Sequence, residues 1–577
     1  MSHIMAQAVL AKFPNAKPTI GPAIEKGFYY DFDVENNFTE NDLVEIEKNM
    51  RKIIKENYKF NKIERTIDQA LDFYKEKNNQ YKIELINELK EKGETKVSFY
   101  QNLDKEGNIV FEDLCSGPHL ETTKQAGVFK LDKIAGAYWR GNEKNKMLQR
   151  IYGLAFETQK EMDDYLAFLE EAKKRDHRKI AKELDLIVFS ELVGSGLPMY
   201  TPKGAILRNA VYNYSRELNK KIGYFEVNTP NFNRAELFRV SGHYDKYKDD
   251  MFKVVSNYSD EEMFFKPMNC PQHTQLYASR LRSYKDLPYR VADFSNLARD
   301  ERPGELNGIL RSRVFTQDDG HAFVTEEQIA DEFKNVLGVI SEALETYGME
   351  YKVRLSLRDQ NKKEKYLGSD EVWEKSEAML KELLKNSNVD YFEGVGEAAI
   401  YGPKMDFIAK DSLGREWQLS TIQIDMNMPQ RFGLKYIDKD GKEKMPIMIH
   451  RAIVGSERFI AIIIEHYAGA FPLWMSPVQA QIISVGEDFT DKCKEVAKIL
   501  VEKNIRADVN VDSETVGNKI RLAENLKIPY MVVLGKKEID EDCLSIRTRG
   551  SRDMRKMKLD EFVEMVTQKI ASKDLKL

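Results

Sequence analysis

The 577-residue sequence is short of cysteine and histidine, with four and eight respectively. Four scattered cysteines cannot build a disulfide framework, which excludes a small stapled fold and points to a reducing compartment. No apolar run approaches the roughly 18 residues of a membrane span. The start, "MSHIMAQAVLAKFP", lacks the basic and then long apolar regions of a secretory leader. An excess of one charge is missing too: 89 Lys and Arg stand against 94 Asp and Glu, a net −5. Any contact with nucleic acid must therefore come from local basic patches. Neither G-x-x-x-x-G-K-[ST] nor G-x-G-x-x-G opens a helix, which excludes a nucleotide cradled on a glycine loop. Repeats and low-complexity tracts are absent. What remains is the expectation of a soluble, cytoplasmic protein of roughly three to five domains.

The pattern along the chain changes three times. Residues 1–156 mix helical stretches with short aromatic strands such as "GFYYDFDV". In 157–186, Met162, Tyr165, Leu166, Leu169 and Ala172 recur at helical spacing. This predicts one amphipathic connector helix running into "KKRDHRKIAKELDL", whose basic tract is a solvated face or a phosphate contact. In 187–475, helices alternate with strands arriving in groups, which predicts an antiparallel sheet flanked by helices. Residues 476–577 read strand–helix–strand–helix–strand, a compact α/β domain. The fold class is multidomain α+β and α/β.

Two stretches offer chemistry. "FFKPMNCPQH", residues 264–273, runs a strand into a turn holding Cys270, with His273 three residues on. A buried free cysteine is the plain reading, and one Cys-x-x-His pair is weak evidence for a zinc site. "LARDERPGELNGILRSRVFTQDDGHAF", residues 297–323, predicts two strands joined by a Pro–Gly loop. The period of two puts Arg299 and Glu301 on one face, and Arg311, Arg313 and Phe315 likewise. Such a face suits phosphate oxygens and a stacked base; it equally suits a salt-bridged surface hairpin.

"KPMNCPQH", "RDE…RSRVFTQDDGH", "YGPKMDF", "STIQIDMNMP" and "IMIHRAIVGSERF" together resemble a class II aminoacyl-tRNA synthetase, specifically the threonyl-tRNA synthetases. The resemblance spans essentially the whole chain. It implies a zinc held by Cys270, His321 and His450 rather than by His273. It implies ATP contacts from Arg299, Glu301, Arg311, Phe315, Gln418 and Arg458, with Mg²⁺ alongside. Asp319, Gln317, Tyr401 and Gln423 would line a threonine site. Arg299, Arg458, Lys404 and His243 would be catalytic, His243 at the transfer to the tRNA 3′ ribose. "GAILRNAVYNYSRELNKKIGYFEVNTP" matches the element that makes such enzymes homodimers. One departure lies in "GSERF", which lacks a spacer that the family carries before its glutamate; one residue is about 100° of helix.

The amino-terminal region resembles the family's editing domain, with His3, Tyr30, Lys82, Asp113, Cys115 and His119 at its pocket positions. A first histidine would fall four positions before His3, outside the sequence, and the small domain that usually precedes editing is lacking. Hydrolysis of mischarged seryl-tRNA and a domain kept for tRNA docking therefore both stand. The last domain resembles an anticodon-binding module, with Glu538 and Arg547 at base-reading positions. The competing class is a synthetase-like tRNA-binding protein without catalysis, which the retained arginines argue against. The related prolyl and seryl enzymes lack this cysteine–histidine set.

Overall fold

The computed structural model describes residues 1–577 apart from Glu143, Asn388 and Gly455. The chain divides into two compact units, Met1–Glu170 and Glu171–Leu577.

In the first unit, alternation builds the sheet. Gly27–Asp33 buries Phe28, Tyr30 and Phe32 at a period of two. It pairs antiparallel with Met147–Phe156, which pairs in turn with Val128–Tyr138. A second sheet joins Lys59–Thr66, Lys96–Leu103 and Ile109–Leu114. The Glu40–Glu56 helix starts at a Thr39–Asp42 capping box. It buries Leu43, Ile46, Met50 and Ile53 in the same core as Phe28, Phe32 and Ile151.

The expected single connector is two helices, Gln159–Arg175 and His177–Glu183. Asp176 separates them. Its ψ of 119° is not helical, and its side chain caps Arg178 N. Arg175 pairs with Glu171 and donates to Ser412 Oγ and His466 O, and Arg178 pairs with Asp176, so both cations are already engaged.

The second unit is organised by a sheet of eight strands among the described residues. Their order is Phe225–Val227, Tyr289–Asp293, Asp319–Val324, Ile447–Ala452, Glu416–Asp425, Lys404–Lys410, Tyr351–Leu357 and Tyr391–Val395. Only the two outermost pairings are parallel; the six central strands are antiparallel. Helices Pro202–Lys221, Ile329–Thr346 and Glu457–His466 supply much of the core, including Leu207, Phe333, Ile340, Ile460 and Ile463. The Pro202–Lys221 helix starts on a Thr201 cap with proline in its first turn.

Register does the positioning. One row across the sheet runs Val291, His321, His450, Gln423, Lys404, Ser356. The next row on that face runs Asp293, Asp319, Ala452, Thr421, Asp406, Arg354. Directly opposed residues lie about 5 Å apart and share a face, so polar chemistry is gathered on one side.

Towards the carboxyl terminus, Ala480–Ser484 lies parallel between Ala507–Asn510 and Tyr530–Leu534. Leu544–Thr548 and Met554–Met557 then extend the sheet antiparallel. The α/β core is the expected one.

Candidate active site

Cys270 opens the Cys270–Ala278 helix, with Asn269 before it and Pro271 in its first turn. His321 and His450 face each other across adjacent strands, with His450 Nδ1 3.0 Å from His321 Nε2. One candidate ligand atom from each of the three lies within 4.8 Å of the others, and all three are buried. Burial pushes the Cys270 thiol well above its usual value, with Asp319 and Asp425 adding to the rise. Burial drives His321 well below its own. The imidazole is therefore a neutral lone-pair donor, and only a nearby cation would draw the thiol into its anionic form. One sulfur and two nitrogens at this separation fit zinc with a position left open.

His273 stands behind this trio. Its Nδ1 is 2.7 Å from His321 Nδ1, and its Nε2 is 3.9 Å from Asp293 Oδ2. Local spacing had paired it with Cys270; the fold turns it towards the back of His321.

Around the same face, Tyr401 Oη is 3.9 Å from Cys270 Sγ, and Gln423 Nε2 donates to Gly402 O. Asp319 Oδ2 accepts from Asn269 Nδ2 at 3.0 Å. Its other oxygen is buried, makes no hydrogen bond among the described residues, and lies 3.3 Å from His450 Nδ1. His243 Nδ1 is 2.7 Å from Ser241 Oγ, and its buried Nε2 is also unpartnered among the described residues. Burial, helped by Arg431 and Arg299, pushes His243 down to about 3. Its ring is neutral.

Next to these groups opens a cavity of about 220 Å³, lined by Arg299, Glu301, Arg311, Phe315, Gln317, Gln418 and Arg458 among others. Arg299 lies over the Phe315 ring, 5.2 Å from its centroid. Arg311 pairs with Glu301 and Glu305 at 2.7 Å each. Arg458 Nε donates to Leu310 O at 3.1 Å. Desolvation, with the cations of Arg299 and Arg311, lowers Arg458 from its usual value, a crowding that a polyphosphate would relieve. Despite the missing spacer, Ser456 caps the Glu457–His466 helix and Arg458 reaches the cavity; Gly455 itself lies outside the described residues.

The hairpin differs from its sequence expectation. Its ladder is only Asn296–Ala298 against Val314–Thr316, and 299–313 is an irregular loop with a turn at Pro303–Glu305. Side-chain alternation lapses where the extended backbone ends. Arg313 consequently leaves the face of Arg311 and binds the backbone O of Glu301.

Two anchors escaped the sequence reading. Buried Asp406 accepts from Lys404 Nζ at 2.6 Å, Arg354 at 3.0 Å, Ser356 at 2.7 Å, Gln418 at 2.8 Å and Thr421 at 3.0 Å. Its place two residues after Lys404 on a strand was the available signal. In the first unit, Tyr74 Oη donates to Asp113 Oδ1 at 2.7 Å. Lys82 Nζ lies 2.9 Å from Asp113 Oδ2 and 3.3 Å from Tyr30 Oη, and Tyr30 also bonds Asp113. His3, Cys115 and His119 gather within 4.8 Å, with His119 stacked on Tyr100 at 3.9 Å. In the terminal domain, Glu538 accepts from Gly535 N and Ser545 Oγ. Arg547 binds Glu524 and Ser551 O.

Three family descriptions match the chain. They are "tRNA synthetase class II core domain (G, H, P, S and T)" over 252–467, "Anticodon binding domain" over 479–569, and "Threonyl and Alanyl tRNA synthetase second additional domain" over 97–152. The chain is 47% identical over 575 residues to the threonine–tRNA ligase of Acetivibrio thermocellus, covering 99% of this chain and 88% of that protein. It is 47% identical over 573 residues to the one from Clostridium novyi, with the same coverage. Among solved structures, the RNA binding domain of threonyl-tRNA synthetase from Cryptosporidium parvum is similar with a TM-score of 0.65 at 35% identity. That match covers 68% of this chain and 98% of that one.

Proposed function

Since the chain belongs to the threonine–tRNA ligase family, we propose a division of labour among its residues in joining threonine to tRNA. The carrying observation is that six chemically suited side chains from three separated segments line one cavity beside the cysteine–histidine trio.

In this reading ATP enters the cavity with its adenine between Phe315 and Arg458, and Glu301 accepts from the adenine amine. Arg299 meets the α-phosphate and Arg311 the γ end, with Mg²⁺ bound to the triphosphate. The threonine carboxylate attacks the α-phosphorus and pyrophosphate leaves; positioning and cationic stabilisation carry that step. Lys404, held by Asp406, adds positive charge near the reacting groups. The tRNA 3′ ribose hydroxyl then attacks the activated carboxyl carbon and AMP departs. His243, neutral and with Nε2 unpartnered among the described residues, accepts a hydrogen bond from that hydroxyl and orients it, while its weak basicity leaves the proton to pass to the departing phosphate.

Cys270, His321 and His450 would hold zinc, which when bound supplies an open coordination position for an amino group and a hydroxyl. Asp319, whose buried Oδ1 lies 3.3 Å from His450 Nδ1, accepts a hydrogen bond from the threonine amino or hydroxyl group, while Gln317, Tyr401 and Gln423 close the site. A valine side chain has no oxygen to offer such a position, whereas an apolar pocket separates isosteres only about a hundredfold.

Serine also carries a hydroxyl, which motivates hydrolysis of seryl-tRNA in the first unit by Lys82, Asp113, Tyr30 and the His3, Cys115, His119 group. Glu538 and Arg547 are assigned to anticodon bases. The domains are taken as 1–156, 157–186, 187–475 and 476–577. A homodimer is supported by an apolar side chain left exposed on the sheet-edge strand Phe225–Val227, Phe225 at 73%. No helix of the described residues is long and apolar enough to cross a membrane, and the cytoplasm is the assigned site of action.

The deciding experiment is amino-acid-dependent pyrophosphate exchange with threonine, serine, valine and proline, with zinc determined on the same sample. Exchange should require threonine and track zinc. Equal exchange with valine, or full activity in metal-free protein, would sink the assignment.

A further inference from the structure

One buried imidazole takes no part in the scheme above. His177 opens the short helix after the Asp176 break and is 2% exposed. Its partners dictate its tautomer. Nε2 lies 3.3 Å from the backbone N of Ile309, and an amide N–H can only donate. The ring hydrogen therefore sits on Nδ1, which points at Glu465 Oε1, 2.7 Å away. That oxygen also accepts from the His177 backbone N–H at 3.0 Å, and Arg415 binds the other oxygen. Burial alone would raise the Glu465 carboxyl, but its bonds from His177 and Arg415 leave it below the usual range. It is an anion, and the imidazole is held between a fixed charge and a fixed amide.

The far end of this chain of bonds is the nucleotide cavity. Asn307–Arg311 is a tight turn, with Asn307 N donating to Arg311 O at 3.0 Å and Leu310 N to Asn307 O at 3.0 Å. Gly308 has φ +52°, and a Cβ there would overlap the His177 ring. Ile309 is buried in the main core, while Leu310 and Arg311 line the cavity. The carbonyl of Leu310 is the acceptor for Arg458. The turn is thus gripped twice by a single helix: at one end directly by Arg458, at the other by Glu465 through His177.

We infer that His177 is a positioning residue for ATP: it sets the seat of the Ile309–Arg311 turn, and so where Arg311 and the Leu310 carbonyl stand relative to Arg458. This rests on the reading of the cavity as the ATP site. His177 touches neither substrate; it acts on the groups that do.

The test is threonine-dependent pyrophosphate exchange in His177→Ala, His177→Gln and Gly308→Ala, with active sites counted by adenylate burst. Loss of one internal hydrogen bond to the turn should raise the KM for ATP in His177→Ala by about tenfold. The KM for threonine and the zinc content should hold. Glutamine offers an acceptor and a donor at nearly the same separation as the two ring nitrogens, so His177→Gln should recover most of the loss. Gly308→Ala pushes on Nε2 from the side of the turn and should raise the KM for ATP even if His177→Ala folds poorly. A lower active fraction with unchanged KM for ATP, or equal behaviour of the alanine and glutamine variants, would overturn the inference. Arg299→Ala serves as the control: an unchanged KM for ATP there would fail the cavity assignment instead.

Discussion

The two units each gather one cysteine and two histidines within the same 4.8 Å, yet the surroundings differ. In the second unit the trio is buried and bordered by the carboxylate of Asp319, whose Oδ1 makes no hydrogen bond among the described residues and lies 3.3 Å from His450 Nδ1. In the first, Cys115 and His119 are only half-buried, His119 is stacked on Tyr100, and the nearby carboxylate Asp113 is already matched by Lys82. Burial pushes the Cys115 thiol up, as it does Cys270, but among the described residues the carboxylate beside it, Asp113, is already paired with Lys82. The contrast teaches that a ligand set alone does not assign a metal: the charge left over around it does.

The largest expected effect tests that contrast directly. Cys270→Ser should abolish zinc binding and lower threonine activation by about a thousandfold or more, while Cys115→Ser should leave both unchanged. Metal analysis showing a second zinc lost from Cys115→Ser would erase the distinction. Next, Arg299→Ala should reduce kcat/KM for adenylate formation by about 10²–10³ and leave seryl-tRNA hydrolysis untouched, measured in parallel on one preparation. Lys82→Met should reduce that hydrolysis by about a hundredfold and spare pyrophosphate exchange. Because it strands Asp113, it should also cost about 3–5 kcal/mol of first-unit stability by denaturant titration. The smallest effect is that of Tyr74→Phe, which removes one of several bonds to Asp113 and should cost about 1 kcal/mol by the same titration. A larger loss in Tyr74→Phe than in Lys82→Met would mean that the phenol's hydrogen bond, not the ammonium's charge, does most to hold Asp113.

Strand patterning made the central sheet legible, and the resemblance nominated side chains that the fold then gathers on one face, His321, His450 and Gln423 among them. Local spacing fared worse. Cys270 and His273 sit a turn apart on one helix, but partners for Cys270 come from strands about 50 and 180 residues further on in the chain, a separation no local pattern encodes. The motif loop was misread because alternation was extended past the three paired residues that enforce it. Asp176 looked helical in a charged run, and only its side-chain bond to Arg178 shows why the backbone turns there. His177 and Glu465 are ordinary charged-helix letters in sequence; their meaning lies in a meeting across nearly 290 positions.

Because His321, His450, Gln423 and Lys404 fall in one transverse row, their chemistry depends on counting as much as on identity. Deleting one residue within Ile447–Ala452 would keep every donor in the chain yet swing His450 to the opposite face of the sheet. Insertions and deletions should therefore be survivable in the connecting loops and ruinous inside these strands.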